Sequence, residues 1–194
     1  MHSSISILAA YTKTHRIIGS GGKIPWNLPS ERNRFKQICK NKYILMGRKS
    51  FEEIGHSLPY CTIIIISKTM EKCPQGCILA KSLKEAVTIA STNNAQADGQ
   101  RLPPDSTTAS EILVAGGGEI YRQAMPYTSK IYATEIMADF PGDVTFPELE
   151  GEWDYIIEEK RTEFENKKGN ISYEYVTYVR NQLKNPIRKA DLLL

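Results

Sequence analysis

Glu111-Ile112-Leu113-Val114-Ala115-Gly116-Gly117-Gly118-Glu119-Ile120-Tyr121 is the stretch on which the fold turns. An apolar run of strand length ends in three consecutive glycines and passes directly into a helix start. Glycines at such a junction let backbone approach a ligand where the helix presents free N–H groups. The spacing is not G-x-G-x-x-G, and no Lys-Ser or Lys-Thr pair follows, so neither a dinucleotide fingerprint nor a P-loop is present. Tyr43-Ile44-Leu45-Met46-Gly47-Arg48-Lys49-Ser50 has the same order in weaker form: strand, glycine, basic pair, then a helix to about Ile54. Its Arg-Lys pair reads equally as an anion site or as a solvated surface pair. Repeated strand–glycine–helix units predict an α/β chain around a mostly parallel sheet.

Working outward, Thr62-Ile63-Ile64-Ile65-Ile66-Ser67 is a continuous β-branched run, expected to be buried on both faces at the sheet centre. Ile5 to Tyr11 reads as a buried strand whose small residues Ala9 and Ala10 admit something flat against the backbone. Ile78-Leu79-Ala80 is a short strand. Ser82 to Ala90 is a helix with Ser82 as cap and Glu85 at its third position. Ile131 to Ile136 is a further strand, Pro141 to Pro147 a turn-rich loop, and runs around Tyr155–Arg161 and Ile171–Val179 form an antiparallel C-terminal hairpin. About four helices flank the sheet. Thr12 to Lys23, with Gly19, Gly21 and Gly22, is expected to be a mobile loop suited to a lid. Ser91 to Ser110, rich in Asn, Gln, Asp, Pro, Ser and Thr, is expected to be an exposed insertion, and the charged tail 181–194 to be loose. The remainder, 1–180, reads as one domain.

Composition narrows the function. The 194 residues are 41% hydrophobic and 24% charged, ordinary for one soluble globular domain. The net charge of +3 comes from scattered basic residues without interleaved aromatics, which argues against a nucleic-acid partner. Ile5–Ala10 is too short to span a membrane and lacks a signal-peptide lead, so the chain reads as cytoplasmic with no membrane association. Cys73-Pro74-Gln75-Gly76-Cys77 is neither a redox C-x-x-C nor half of a zinc pair, so the four cysteines read as reduced structural thiols and no metal is expected.

Ile24-Pro25-Trp26-Asn27-Leu28-Pro29-Ser30-Glu31-Arg32-Asn33-Arg34-Phe35-Lys36 carries the chemistry. Two prolines hold an extended loop, and Ser30 is placed to cap the helix that follows. Glu31 falls in the first turn, with Phe35 one turn on along the same face. Asn33 stands where a capping box has Glu or Gln, so Glu31 has no capping-box role. A solvated first-turn acid is the plain reading; Trp26 and the rest of the chain argue for an acid in a pocket.

Taken together, the chain resembles the dihydrofolate reductase family. The resemblance rests on Ile24-Pro25-Trp26-Asn27-Leu28-Pro29 with an acid two residues later, Met46-Gly47-Arg48-Lys49-Ser50-Phe51, Ile54-Gly55 with Leu58-Pro59, Ala115-Gly116-Gly117-Gly118-Glu119-Ile120-Tyr121 and Gly142-Asp143-Val144-Thr145-Phe146-Pro147, in that order. It implies a monomeric, NADPH-dependent reductase of 7,8-dihydrofolate. By this resemblance Glu31 is the pterin-binding acid, and Trp26 and Thr134 hold it and a water. Leu8, Ala9, Arg32, Phe35, Lys36, Ile54, Leu58, Ala115 and Tyr121 line the substrate pocket. Ala10 and Ile18, with Tyr121, face the nicotinamide; Gly116–Gly118 with Ser50 lie near the pyrophosphate; Arg48, Lys49, Ser67 and Lys68 face the adenosine ribose phosphate; Gly19, Gly47, Glu119 and Ile120 also belong to the cofactor site. The resemblance also implies a cis bond between Gly116 and Gly117.

One position departs. Two residues after Leu58-Pro59 the family has an arginine for the folate α-carboxylate, and this chain has Cys61. Losing a bidentate guanidinium–carboxylate pair removes about 1.5–3 kcal/mol. Arg32 and Lys36, one turn apart on the Glu31 helix, either replace it or form a solvated face. Three readings stand: a dihydrofolate reductase with a rebuilt tail site, a related reductase of another dihydropterin or of a riboflavin-pathway aminopyrimidine, and a non-catalytic binder. The complete acid, Trp26, Thr134 and triple-glycine set argues against the binder.

Overall fold

The computed structural model describes residues 4–92, 111–166 and 168–181. In chain order the elements are β1 (Ser4–Thr12), β2 (Ile17–Gly19), α1 (Pro29–Cys39), β3 (Tyr43–Gly47), α2 (Arg48–Ile54), β4 (Thr62–Ile66), β5 (Cys77–Ala80), α3 (Leu83–Thr92), β6 (Glu111–Val114), α4 (Gly118–Ala124), a 3-10 turn (Met125–Tyr127), β7 (Thr128–Ile136), β8 (Val144–Thr145), β9 (Trp153–Glu165) and β10 (Gly169–Arg180). Eight strands form one sheet in the order β5-β4-β3-β6-β1-β7-β10-β9. The six strands from β5 to β7 run parallel, and β10 and β9 add antiparallel at one edge. This is the α/β sheet with a C-terminal hairpin that the strand–glycine–helix units predict.

Strand alternation sorts the core into two faces. Leu45, Ile64, Ile66 and Val114 pack with Leu83, Ala86, Val87 and Ala90 of α3 and with Ile120, Tyr121 and Ala124 of α4. Leu8, Ile44, Met46, Ile63, Ile65 and Leu113 point the other way, to Cys39 of α1 and Phe51 of α2. Parallel strands carry all their C-terminal ends to one edge, and a ligand crevice belongs there.

Four expectations need correction. β4 is buried on both faces as expected, but it is second from the edge, and β6 and β1 form the centre. A branched run reports two covered faces, and β5 covers only the outer edge of β4. Residues 12–23 are not simply a loop, because β2 lies within them and pairs with β8 from the expected 141–147 loop. The two segments supply each other's backbone partners: the Phe146 amide donates to the Arg16 carbonyl at 2.7 Å.

Ser30 does not cap α1. Leu28, extended at φ −116° and ψ 96°, occupies the cap position and Pro29 opens the helix, where a missing N–H costs nothing. The Ser30 amide instead donates to the carboxylate of Glu163 on β9 at 3.3 and 3.4 Å. α3 is capped as expected: Ser82 Oγ accepts the Glu85 amide at 3.1 Å, and Glu85 Oε2 accepts the Lys81 amide at 2.8 Å. It runs on through Ser91 and Thr92, so the expected insertion begins as helix. The remaining 93–110 and the tail from 182 lie outside the described residues. Among those described, no helix is long and apolar enough to cross a membrane.

Candidate active site

Trp26 and Leu28 anchor the chain entering α1, whose first turn carries Glu31. Both are buried with Phe140, Ile136, Ile171, Tyr173 and Tyr175, and the Trp26 ring meets Phe140 edge-on at 5.6 Å. Glu31 is half-buried as a residue, yet desolvation pushes its carboxyl up to about 7, against the opposing pull of Arg34 and then Arg32. A carboxyl titrating there both holds and yields a proton near neutrality. Thr134 is fully buried at the C-terminal part of β7, in register with Ala10 of β1, and Ala10 packs beside the Trp26 cluster. Tyr121 donates its hydroxyl to the Leu8 carbonyl at 2.9 Å, and burial together with the Glu31 charge keeps it protonated.

The apolar wall is brought together as the sequence implies. Leu8, Phe35, Ile54, Leu58 and Ala115 belong to one cluster, on the sheet face covered by α1 and α2. Cys61 joins the same cluster, its amide donating to the Leu58 carbonyl at 3.3 Å. Burial pushes the Cys61 thiol up to about 12, so it is a neutral group and no substitute for a guanidinium. Ala9 and Tyr121 are the exceptions: both lie in the opposite cluster with Phe146, Ala9 by strand alternation. Arg32 and Lys36 are exposed on the outer side of α1.

The two glycine turns are joined directly. The Gly47 amide donates to the Gly116 carbonyl at 2.8 Å, and the Gly116–Gly117 peptide is cis. A Cβ on Gly116 or Gly117 would lie 3.1 Å from Ser50 Oγ, and one on Gly118 3.0 Å from the Thr145 carbonyl oxygen. The turn is therefore bare backbone beside a hydroxyl, a cradle that fits a pyrophosphate. Beyond it lie exposed Lys49 and Lys68. Arg48 pairs with Glu52 at 2.8 Å on its own helix. Ser67 Oγ accepts the Thr69 and Met70 amides at 3.3 and 3.0 Å and so shapes the turn that presents Lys68. Ile120 is buried against Gly47. Glu119 bonds Arg122 and Gln123 on the exposed side of α4, so its side chain has no part in the cradle. Ile18 and Gly19 sit on β2, at the border of the same crevice loops.

Sequence reasoning passed over Arg34. It is buried, and its guanidinium lies 4.3 Å over the Tyr175 ring. The signal was available: position 34 is one turn after Glu31 on the inward stripe of α1, where a charge needs a buried partner.

These features are matched elsewhere. A family model described as dihydrofolate reductase matches residues 4–180. Dihydrofolate reductase of Bacillus subtilis is 33% identical over 165 residues, which is 84% of this chain and 88% of that one. That of Buchnera aphidicola subsp. Acyrthosiphon pisum is 34% identical over 177 residues, 90% of this chain and 99% of that one. A solved structure of the Enterococcus faecalis enzyme, complexed with NADP(H) and RAB-propyl, has a TM-score of 0.72 at 24% identity over 92% of this chain and 96% of that one, and shares the fold. The family match spans both glycine turns, the Glu31 helix and the C-terminal hairpin, and this chain belongs to the dihydrofolate reductase family.

Proposed function

We propose that Glu31, Trp26 and Thr134 carry the proton-handling step of this chain's activity, the NADPH-dependent reduction of 7,8-dihydrofolate to 5,6,7,8-tetrahydrofolate. The carrying observation is Glu31 in the first turn of α1, the helix whose Phe35 joins the apolar wall, with burial pushing its carboxyl up to about 7. Ionised, it accepts paired hydrogen bonds from the pterin amino group and ring N–H, and its charge favours protonation of the pterin nitrogen through water. Leu8, Phe35, Ile54, Leu58 and Ala115 exclude bulk water around that exchange, which strengthens it. NADPH, when bound, supplies the hydride. Ser50 and the Gly116–Gly118 backbone hold its pyrophosphate, and Arg48, Lys49, Ser67 and Lys68 its ribose phosphate. Ala10, Ile18, Gly19 and Tyr121 border its nicotinamide end.

The chain acts in this reading as a cytoplasmic monomer whose domain is residues 1–180. Its small-molecule partner is dihydrofolate, and Arg32 with Lys36 takes the glutamate carboxylates. The neutral Cys61 favours a second reading, in which a dihydropterin without the benzoylglutamate tail is an equal substrate. Initial rates of NADPH oxidation with dihydrofolate and with such a short dihydropterin separate the two. A strong preference for dihydrofolate supports tail recognition; equal rates refute it.

A further inference from the structure

Arg34 occupies the inward stripe of α1, one turn beyond Glu31, and is one of few charged side chains that the core encloses. Its donors are divided between two strands, β7 and β9. Nη1 donates to the Ala133 carbonyl at 3.3 Å and reaches Thr134 Oγ1 at 3.5 Å. Nη2 donates to Glu158 Oε2 at 3.1 Å, and Glu158 Oε1 in turn accepts the Thr177 hydroxyl at 2.6 Å. The guanidinium carbon lies over the Tyr175 ring. The fork therefore bridges the Glu31 helix to β7, β9 and β10 through one fixed cation.

We propose that Arg34 is a positioning residue that sets the proton affinity of the Glu31 site, with Glu158 partly neutralising it from the solvent side. This rests on the reading of Glu31 as the pterin-binding acid. A guanidinium only donates, so any hydrogen bond it makes to Thr134 uses an oxygen lone pair. The hydroxyl hydrogen of Thr134 is thereby left for an acceptor on the pocket side. Glu31 and Arg34 stand three residues apart on α1, the spacing at which helical side chains are neighbours, so the cation favours the carboxylate against the desolvation that opposes it.

The surroundings leave Arg34 as the dominant charge. On α1, Arg32 also faces Glu31 but is exposed and screened by solvent, and the Cys39 thiol is held neutral by burial. From α4, Tyr121 faces Glu31 as a protonated phenol, and from β10 so does Tyr175. Around Arg34 itself stand Glu158 on β9, Tyr175 on β10 and Tyr132 on β7; exposed Arg161 of β9 lies over the same Tyr175 ring at 5.5 Å, and Lys130 of β7 faces Glu158. Glu158 is half-exposed, so its countercharge is screened more than that of the enclosed guanidinium.

The two members of the pair should consequently move the site in opposite directions. The measurement is the pH dependence of the single-turnover rate of NADPH oxidation with dihydrofolate, from about pH 5 to about pH 9. Arg34→Met should raise the midpoint by about one pH unit, as expected when one nearby opposite charge is lost. Arg34→Lys, which keeps the charge and loses the fork, should return the midpoint toward the parent value. Glu158→Gln unmasks the cation and should lower it. A general loosening of the fold would not yield shifts of opposite sign. Unchanged midpoints in the Arg34 variants, or a Glu158→Gln shift upward, overturn the proposal. If Arg34→Met does not fold, the direction of the Glu158→Gln shift decides alone. Glu31→Gln is measured alongside: a profile it leaves untouched refutes the Glu31 reading and this proposal with it. A neutral-pH rate lost in Glu31→Gln, with no Arg34 effect, refutes only this proposal.

Discussion

Asp143 clasps Gly21 across 122 residues of sequence: its Oδ1 accepts the Gly21 amide at 3.1 Å while its own amide donates to the Gly19 carbonyl at 3.0 Å. These bonds hold the glycine-rich segment before Trp26 against the segment that carries β8. Asp143→Ala removes one charge-assisted bond of the clasp, worth about 1 kcal/mol at an exposed position. A roughly fivefold lower single-turnover rate is expected, with Asp143→Asn in between. Gly142→Ala should be worse, because a Cβ there would lie 2.5 Å from the Gly19 oxygen. Rapid-mixing kinetics on the three variants checks the order; a Gly142→Ala rate equal to the parent's contradicts it.

Glu31 makes the ligand-free protein sensitive to alkaline pH. Its carboxyl titrates at about 7 when folded, against an ordinary 4.5. Below the lower value both states are protonated and nothing is lost. As pH rises between the two values, the unfolded chain gives up its proton first, and folding stability falls. Above the folded value the full penalty applies, about 3 kcal/mol at most. Glu31→Gln carries no such charge, so it should be the more stable protein at about pH 8, with the gain vanishing toward about pH 4. Urea unfolding at both pH values tests this, and equal midpoints at the higher pH would show that the group is not desolvated.

Glu163 caps a helix from another element. It accepts the Ser30 amide and, on Oε2, the Tyr173 hydroxyl at 3.0 Å. Glu163→Ala should destabilise the protein by about 1 kcal/mol, the usual worth of a helix cap, and speed hydrogen exchange at the Ser30 amide. Exchange unchanged at Ser30 would mean that the carboxylate does not act as the cap.

Arg32 is the strongest candidate for the folate tail, since Cys61 is uncharged. Arg32→Leu should raise KM for dihydrofolate about tenfold and leave kcat and the KM of a tail-less dihydropterin unaltered. An unchanged KM for dihydrofolate removes Arg32 from the site.

Local chemistry wrote much of this molecule legibly. Ser82 and Glu85 cap α3 because both partners lie within one turn. The run Thr62–Ile66 announces a strand covered on both faces because its pattern is carried by its own residues. The glycines at 116–118 mark the cradle because a Cβ at any of them would crowd a neighbour.

What only the tertiary structure decided depends on partners far along the chain. The strand order put β4 near an edge, since the run of isoleucines records how its faces are covered and not which strands lie beside it. β2 exists because β8 lies opposite it, and α1 begins at Pro29 with Glu163 as its cap because β9 folds back against it. Arg34 lies on the inward stripe of α1, but what encloses it, Glu158 and Tyr175, comes from β9 and β10. Most strands and helices and the family were legible in the sequence, which also marked Glu31 as the candidate acid. The proposed tuning of that acid rests on burial and on a cation whose partners lie on β7, β9 and β10, because desolvation and pairing over such separations are properties of the packed chain and of no single segment.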